Sequence, residues 1–252
     1  LTELQRDANR RFGFSAKETL NIMQRLYEQH KVLTYPRTDS RYIGSDIVPT
    51  IKERLKACNI GPYKKFIPSL LKAPIKTSKA FVDDAKVSDH HAIIPTEEYV
   101  QLEHMSNDER KIYDLVIRRF ISVLYPAFEY EQTTLKASAA GQAFTAKGKV
   151  IRSPGWKAIY DSSSAADSSF LDDPEEDDAS WQSCEQPLPL LKKGEQLSIS
   201  QISLTTGKTK PPARFTEATL LTAMENPVKY MESRDVKARK MLGETGGLGT
   251  VA

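Results

Sequence analysis

Over residues 33–43 the chain reads Leu-Thr-Tyr-Pro-Arg-Thr-Asp-Ser-Arg-Tyr-Ile, a polar run directly behind an apolar stretch. Pro36 disfavours a helical conformation at Tyr35, so the tyrosine is expected in extended backbone. Side chains at i and i+2 of an extended segment point the same way, which would set Tyr35 and Arg37 toward one site. That pair suits attack on a phosphodiester. The phenol oxygen is a nucleophile, and a planar guanidinium can hold two phosphate oxygens while charge builds on phosphorus. A tyrosyl phosphate ester would keep the energy of the broken bond, so a strand could be cut and resealed without ATP. Asp39 or Ser40 is expected to cap a following helix. Packing of a Tyr-Pro pair in a loop is the plainer alternative.

A second cluster, Val-Ser-Asp-His-His-Ala-Ile-Ile-Pro-Thr-Glu-Glu-Tyr at 87–99, holds two of the four histidines side by side. One of them could donate to a phosphate oxygen or manage a proton near neutral pH. A core or capping histidine and a metal site are the alternatives. Adjacent histidines do not readily face one metal, and no other ligand cluster supports a site, so no metal ligand is assigned.

These residues need elements to hold them. Ser15–Glu18 and Ser106–Glu109 each fit a capping box ahead of helical apolar spacing. The first predicts a helix from about Ser15 to His30. The second predicts one carrying Ile112, Leu115, Val116, Phe120, Val123 and Leu124, stopped by Pro126. Shorter helices are expected on either side of Gly61. From Ala127 the period becomes alternating, and residues 129–139 and 142–151 flank Ala140-Gly141 as a hairpin. Residues 195–204 alternate again, with a phase slip that predicts a β-bulge near Ser200–Gln201. A last helix is expected within 216–226, closed by Asn226-Pro227.

The totals agree with a piece made of two unequal domains. The chain has 252 residues, 39% hydrophobic and without an apolar run long enough to span a membrane. It begins at Leu1 with no signal pattern, which reads as an excised piece of a longer cytoplasmic protein. Cys58 and Cys184 show no zinc or disulfide spacing. Net charge is +3, but residues 161–180 carry eight carboxylates and no base. Without them the chain has 36 bases against 25 acids, a net of +11 suited to a polyanion. The acidic stretch itself has too little apolar surface to order and reads as a flexible loop.

The runs 33–43 and 88–96 together resemble the type IA DNA topoisomerases, the topoisomerase III branch in particular. Residues 11–28, 211–227 and 246–250 are similar to the same family in the same order. The resemblance implies an α+β multidomain fold: a helical tyrosine-bearing domain (1–126), a β-rich gate-arch domain (127–210) and a partial helical DNA-binding domain (211–252). It also implies that Tyr35 becomes joined to the 5′ phosphate of a cleaved single strand, that Arg37 positions the scissile phosphate, and that His90 is the active-site histidine. Arg37, Thr38, Ser40, Arg41 and His90 would contact single-stranded DNA. Thr38, Asp39 and Ser40 complete the tyrosine motif. The family's cleavage centre is shared with an N-terminal Toprim domain that holds Mg²⁺ and a catalytic glutamate and lysine. Nothing in this chain matches that domain, so both Mg²⁺ and the Toprim partner are expected from outside it.

Other motifs fail on inspection. Gly207-Lys208-Thr209 resembles the tail of a P-loop, but Ile202 stands where the leading glycine is required. Gly246-Gly247-Leu248-Gly249 lacks the last glycine of a dinucleotide fingerprint. A relaxase-like nuclease expects an apolar spacer between its histidines. The remaining rival is a non-catalytic single-strand-binding module in which Tyr35 stacks on a base.

Overall fold

The computed structural model describes residues 1–160, 188–189, 191–204, 206–209, 211–230, 237, 240 and 248. Two compact units emerge: Leu1–Tyr125 with Arg214–Ala252, and Pro126–Ala213. The acidic stretch 161–180 lies outside the described residues, as does the glycine-rich 246–250 apart from Leu248.

The first unit is helical. Helix α1 (Thr2–Phe12) packs on α2 (Ala16–Glu28), α5 (Asn107–Leu124) and α6 (Glu217–Glu225), and α2 also packs on α5. Both expected capping boxes form. Ser15 Oγ accepts from Glu18 N at 3.1 Å and Ser106 Oγ from Glu109 N at 3.2 Å, satisfying amides that the first helical turn leaves unpaired. Met23, Leu26, Ile112, Tyr113, Ile117 and Ile121 are fully buried along the two apolar stripes. The short helices α3 (Ile51–Ala57) and α4 (Ile67–Lys72) follow 3₁₀ turns at Val48–Thr50 and Gly61–Lys65, each turn opened or followed by a proline.

Helix α6 reaches α1 through polar contacts. The Arg6 guanidinium, 7% exposed, pairs with Glu225 and with Glu3 at 3.0 Å. Asn9 Oδ1 accepts from Ala218 N at 3.2 Å. Burial alone would weaken the proton on Arg6, but the Glu225 and Glu3 carboxylates outweigh it and hold the guanidinium above its ordinary pKa.

The second unit contains the expected hairpin, β1 (Glu129–Ala139) antiparallel to β2 (Gln142–Ser153), with Leu135 opposite Ala146. Ala140 and Gly141 both have positive φ, 48° and 78°, the signature of a type I′ turn whose twist matches the strands. Gly155 closes the base of the ribbon. It lies at φ 46°, and a Cβ there would stand 2.2 Å from Ala127 O.

Two expectations are corrected. Residues 195–204 form neither strand nor bulge: they are unpaired, with Leu197, Ile199, Ile202 and Leu204 exposed. Alternation makes a segment compatible with a sheet, but an edge must accept it, and β1 and β2 pair only with each other among the described residues. The β-rich expectation therefore reduces to a two-stranded sheet among those residues. No helix follows Asp39 and Ser40 directly, because the Ser40 hydroxyl is used across the loop instead, donating to Lys86 O at 2.9 Å.

Candidate active site

The tyrosine segment leaves α2 through Lys31, whose φ of 57° turns the chain so that Val32 N donates back to Leu26 O at 3.0 Å. From there it pairs antiparallel with the segment that follows the histidines. Thr96 N donates to Val32 O and Thr34 N to Ile94 O, both at 3.0 Å, around a Leu33–Pro95 bridge. Leu33 is fully buried and Pro95 is buried beside it, so the bridge is anchored in the core.

Hydroxyls of the tyrosine motif complete the pairing. Thr34 Oγ1 accepts from Ile94 N at 3.0 Å. Thr38 Oγ1, on a residue 3% exposed, donates to His90 O at 3.0 Å and accepts from Ser40 N at 3.1 Å. Further along, Ala92 N donates to Tyr42 O at 2.8 Å. Two motifs separated by about fifty residues of sequence thus share one ladder.

The ladder places Tyr35 against His90, with ring centroids 4.4 Å apart, and Tyr27 of α2 meets the Tyr35 ring in an edge geometry at 5.5 Å. Tyr35 is half-buried, and its hydroxyl has no hydrogen-bond partner among the described residues. It faces a cavity of about 230 Å³ lined also by Thr34, Gly44, Asp46, Asp89, His90 and His91. His91 Nδ1 lies 2.7 Å from Ala92 O, an acceptor only, so Nδ1 is the donor of that bond.

Arg37 sits differently from the extended expectation. Thr38 N donates to Pro36 O at 3.1 Å, closing a tight turn centred on Arg37. The alternation that would set Tyr35 and Arg37 on one side therefore breaks at Pro36. Arg37 is half-buried, does not line the tyrosine cavity, and has no hydrogen bond or ion pair among the described residues. Arg41 is exposed and paired with Glu3 at 2.6 Å. Burial raises the Glu3 carboxyl, but Arg41 and Arg6 outweigh it and hold the group below the ordinary carboxylate pKa.

Four contributors were not found by sequence reasoning. Tyr27 reads as one more apolar position on the α2 stripe, and Asp46 follows no motif. Asp89 adjoins the histidine pair, which was a usable signal. Arg54 on α3 is the least expected. Although buried, it donates from Nη1 to Pro95 O at 2.7 Å and pairs through Nη2 with Glu97 at 2.8 Å, fixing the end of the histidine segment. No three His, Cys, Asp or Glu side chains among the described residues converge to hold a metal ion.

The profile of the DNA topoisomerase family matches residues 1–252. Over its whole length the chain is 59% identical to DNA topoisomerase 3 of Bacillus cereus and 56% identical to that of Bacillus subtilis. It spans about 33% of the length of each. Among solved structures, full-length topoisomerase I of Thermotoga maritima is similar in fold, with a TM-score of 0.52 at 20% identity over 96% of this chain and 37% of that one. A tyrosine motif laddered onto a histidine motif, within a chain matched end to end at this identity, places it in the type IA DNA topoisomerase family, on the topoisomerase III branch.

Proposed function

We propose that this chain supplies the nucleophile for cutting and rejoining single-stranded DNA. The Tyr35 oxygen attacks phosphorus, the bond to the 3′ oxygen breaks, and that oxygen leaves as a 3′ hydroxyl. The product is a 5′-phosphotyrosine, and attack by the same hydroxyl reverses the step. His90 donates to a phosphate oxygen or carries the proton, and Arg37 steadies the scissile phosphate. Thr38, Ser40 and Arg41 contact the strand. The observation that carries this reading is the placement of Tyr35 and His90 on one cavity wall by the ladder between their segments.

The same cavity supports a split centre. Its walls include Asp46 and Asp89 but neither lysine nor arginine. A phosphate entering there meets negative charge, so cations must come from outside the cavity. Arg37 is one candidate, and a separate Toprim domain with its Mg²⁺ and lysine is the other. Within the whole protein we assign residues 1–126 to the tyrosine-bearing domain, 127–210 to a hinge that lets a second strand pass, and 211–252 to a partial DNA-binding domain. The protein would relax or decatenate DNA in the cytoplasm. The non-catalytic module is disfavoured by the match to the topoisomerase 3 relatives.

A denaturing gel of a 3′-labelled single-stranded oligonucleotide, run with a separately made Toprim domain and Mg²⁺, tests the reading. A slow labelled band is expected from the unsubstituted chain and none from Tyr35→Phe. Arg37→Lys is expected to lower the yield, because a point charge does not reproduce the planar fork. Free oligonucleotide in every lane, with the two pieces shown to associate, would overturn the assignment of Tyr35.

A further inference from the structure

Beside the tyrosine cavity lies a larger concavity of about 510 Å³, with residues 39–42 on one wall and 85–88 on the other. Val87 lines both cavities, so they adjoin. The walls are tied together within the protein itself. Ser40 Oγ donates to Lys86 O at 2.9 Å, and Ser45 N to Asp84 Oδ1 at 2.7 Å just behind. The lip carries the cations that the tyrosine cavity lacks. Arg41 and Lys86 have side chains 66% and 54% exposed. Lys86 Nζ stands 4.5 Å from the Tyr42 ring centroid and donates to the Tyr42 hydroxyl at 3.2 Å, which fixes an otherwise floppy ammonium. Asp83 reaches Lys86 Nζ only at 3.6 Å, so that ion pair is loose.

We propose that this concavity is a phosphate subsite for the strand held at Tyr35, with Lys86 as its principal cation, Tyr42 as the residue that positions Lys86, and Arg41 at its edge. The proposal rests on the single-strand reading above and adds a contact to it. A phosphate next along the backbone from the one facing Tyr35 enters a concavity whose lining sets Arg41 and Lys86 against the one carboxylate of Asp39, where the tyrosine cavity offers Asp46 and Asp89 with neither lysine nor arginine. The strand is thereby held by the neighbouring phosphate, and the scissile one is left for chemistry.

The test is fluorescence anisotropy of a labelled oligothymidylate titrated with the chain at several salt concentrations. Lys86→Gln is expected to weaken binding and to make the slope of log K against log salt shallower by about 0.7, the value for one single-strand phosphate contact. Lys86→Arg keeps the slope. Lys72→Gln, an exposed cation on α4, removes the same charge elsewhere and leaves the slope unchanged. Equal slopes for Lys86→Gln and the unsubstituted chain, with unchanged circular dichroism, would overturn the subsite while leaving the single-strand reading intact. Failure of the unsubstituted chain to bind at low salt would overturn both.

Discussion

Thr38 shows how one hydroxyl can hold, through the His90 backbone, the imidazole proposed to act at Tyr35. Its Oγ1 spans the two motifs, donating to His90 O and accepting from Ser40 N in a place closed to water. Thr38→Val keeps the shape but removes both part-buried bonds, to His90 O and from Ser40 N. The expected cost is about 0.5–1.5 kcal/mol, read from the denaturant midpoint. A reduced adduct yield in the reconstituted cleavage assay should accompany it, and Thr38→Ser should restore much of both. Full adduct yield in Thr38→Val would mean that the ladder at Leu33–Pro95 alone holds the histidine in place. That Tyr35 and His90 belong together is legible because their neighbours are unusual, whereas the sequence marks Thr38 only as part of a motif. The hydrogen bond from Thr38 to His90 spans 52 residues of sequence, and local pattern carries no information about such a partner. Arg54 was illegible for the same reason: a lone arginine on an amphipathic helix reads as a solvated face until its acceptor is known.

At the scale of elements, caps and turns were legible because their rules are local. Both serine boxes and the hairpin followed from a few adjacent residues. The strand at 195–204 did not, since alternation says nothing about whether an edge is available. The hairpin turn is open to improvement: Ala140 adopts φ 48° without the side-chain amide or absent Cβ that favours it. Ala140→Asn, giving the preferred Asn-Gly pair, is expected to slow amide exchange in β1 and β2 by a stabilisation of about 0.5–1 kcal/mol. Gly155→Ala acts oppositely, since left-handed backbone and overlap with Ala127 O together cost more than about 2 kcal/mol. Protected hairpin amides in that variant would show that the ribbon does not depend on its base. Between helices, Glu109 ties the start of α5 to Arg25 of α2 at 2.7 Å. Burial opposes its charge, but Arg25 and the Ser106 cap outweigh that and bring the carboxyl down to about 2. An unfolded chain, with its carboxylate near 4.5, binds more protons than the folded one in between. The stabilisation is therefore complete above about pH 5 and lost as the pH falls toward 2. Melting temperatures of the chain and of Glu109→Gln should converge over that window; parallel curves down to pH 3 would remove Glu109 from the acid response.

On the scale of the whole chain, the helical unit is assembled from two stretches separated by 126–213, and α6 must return to α1 for it to close. The sequence shows α6 as a helix closed by Asn226-Pro227 but not where it docks, because its apolar residues Leu220 and Met224 stay exposed while the docking is polar. Arg6 makes that docking conditional. A guanidinium 7% exposed is costly unless paired, and Glu225 is one of its two carboxylate partners among the described residues. Glu225→Gln leaves the charge half-compensated and is expected to destabilise the unit by about 1–3 kcal/mol. In an Arg6→Met background the penalty disappears, because nothing charged is left stranded, and methionine occupies much of the arginine stem's volume. A double-mutant cycle by denaturant unfolding measures the difference, and a coupling below about 0.5 kcal/mol would mean the two charges act independently. Strong coupling has a consequence at Tyr35. Arg6 shares Glu3 with Arg41 of the tyrosine loop, so weakening the hold of α6 redistributes charge at the lip of the proposed phosphate subsite. Glu225→Gln should then alter the salt dependence of oligonucleotide binding from a residue outside both cavities, through Glu3 and Arg41, and the Glu3→Gln variant should abolish that effect.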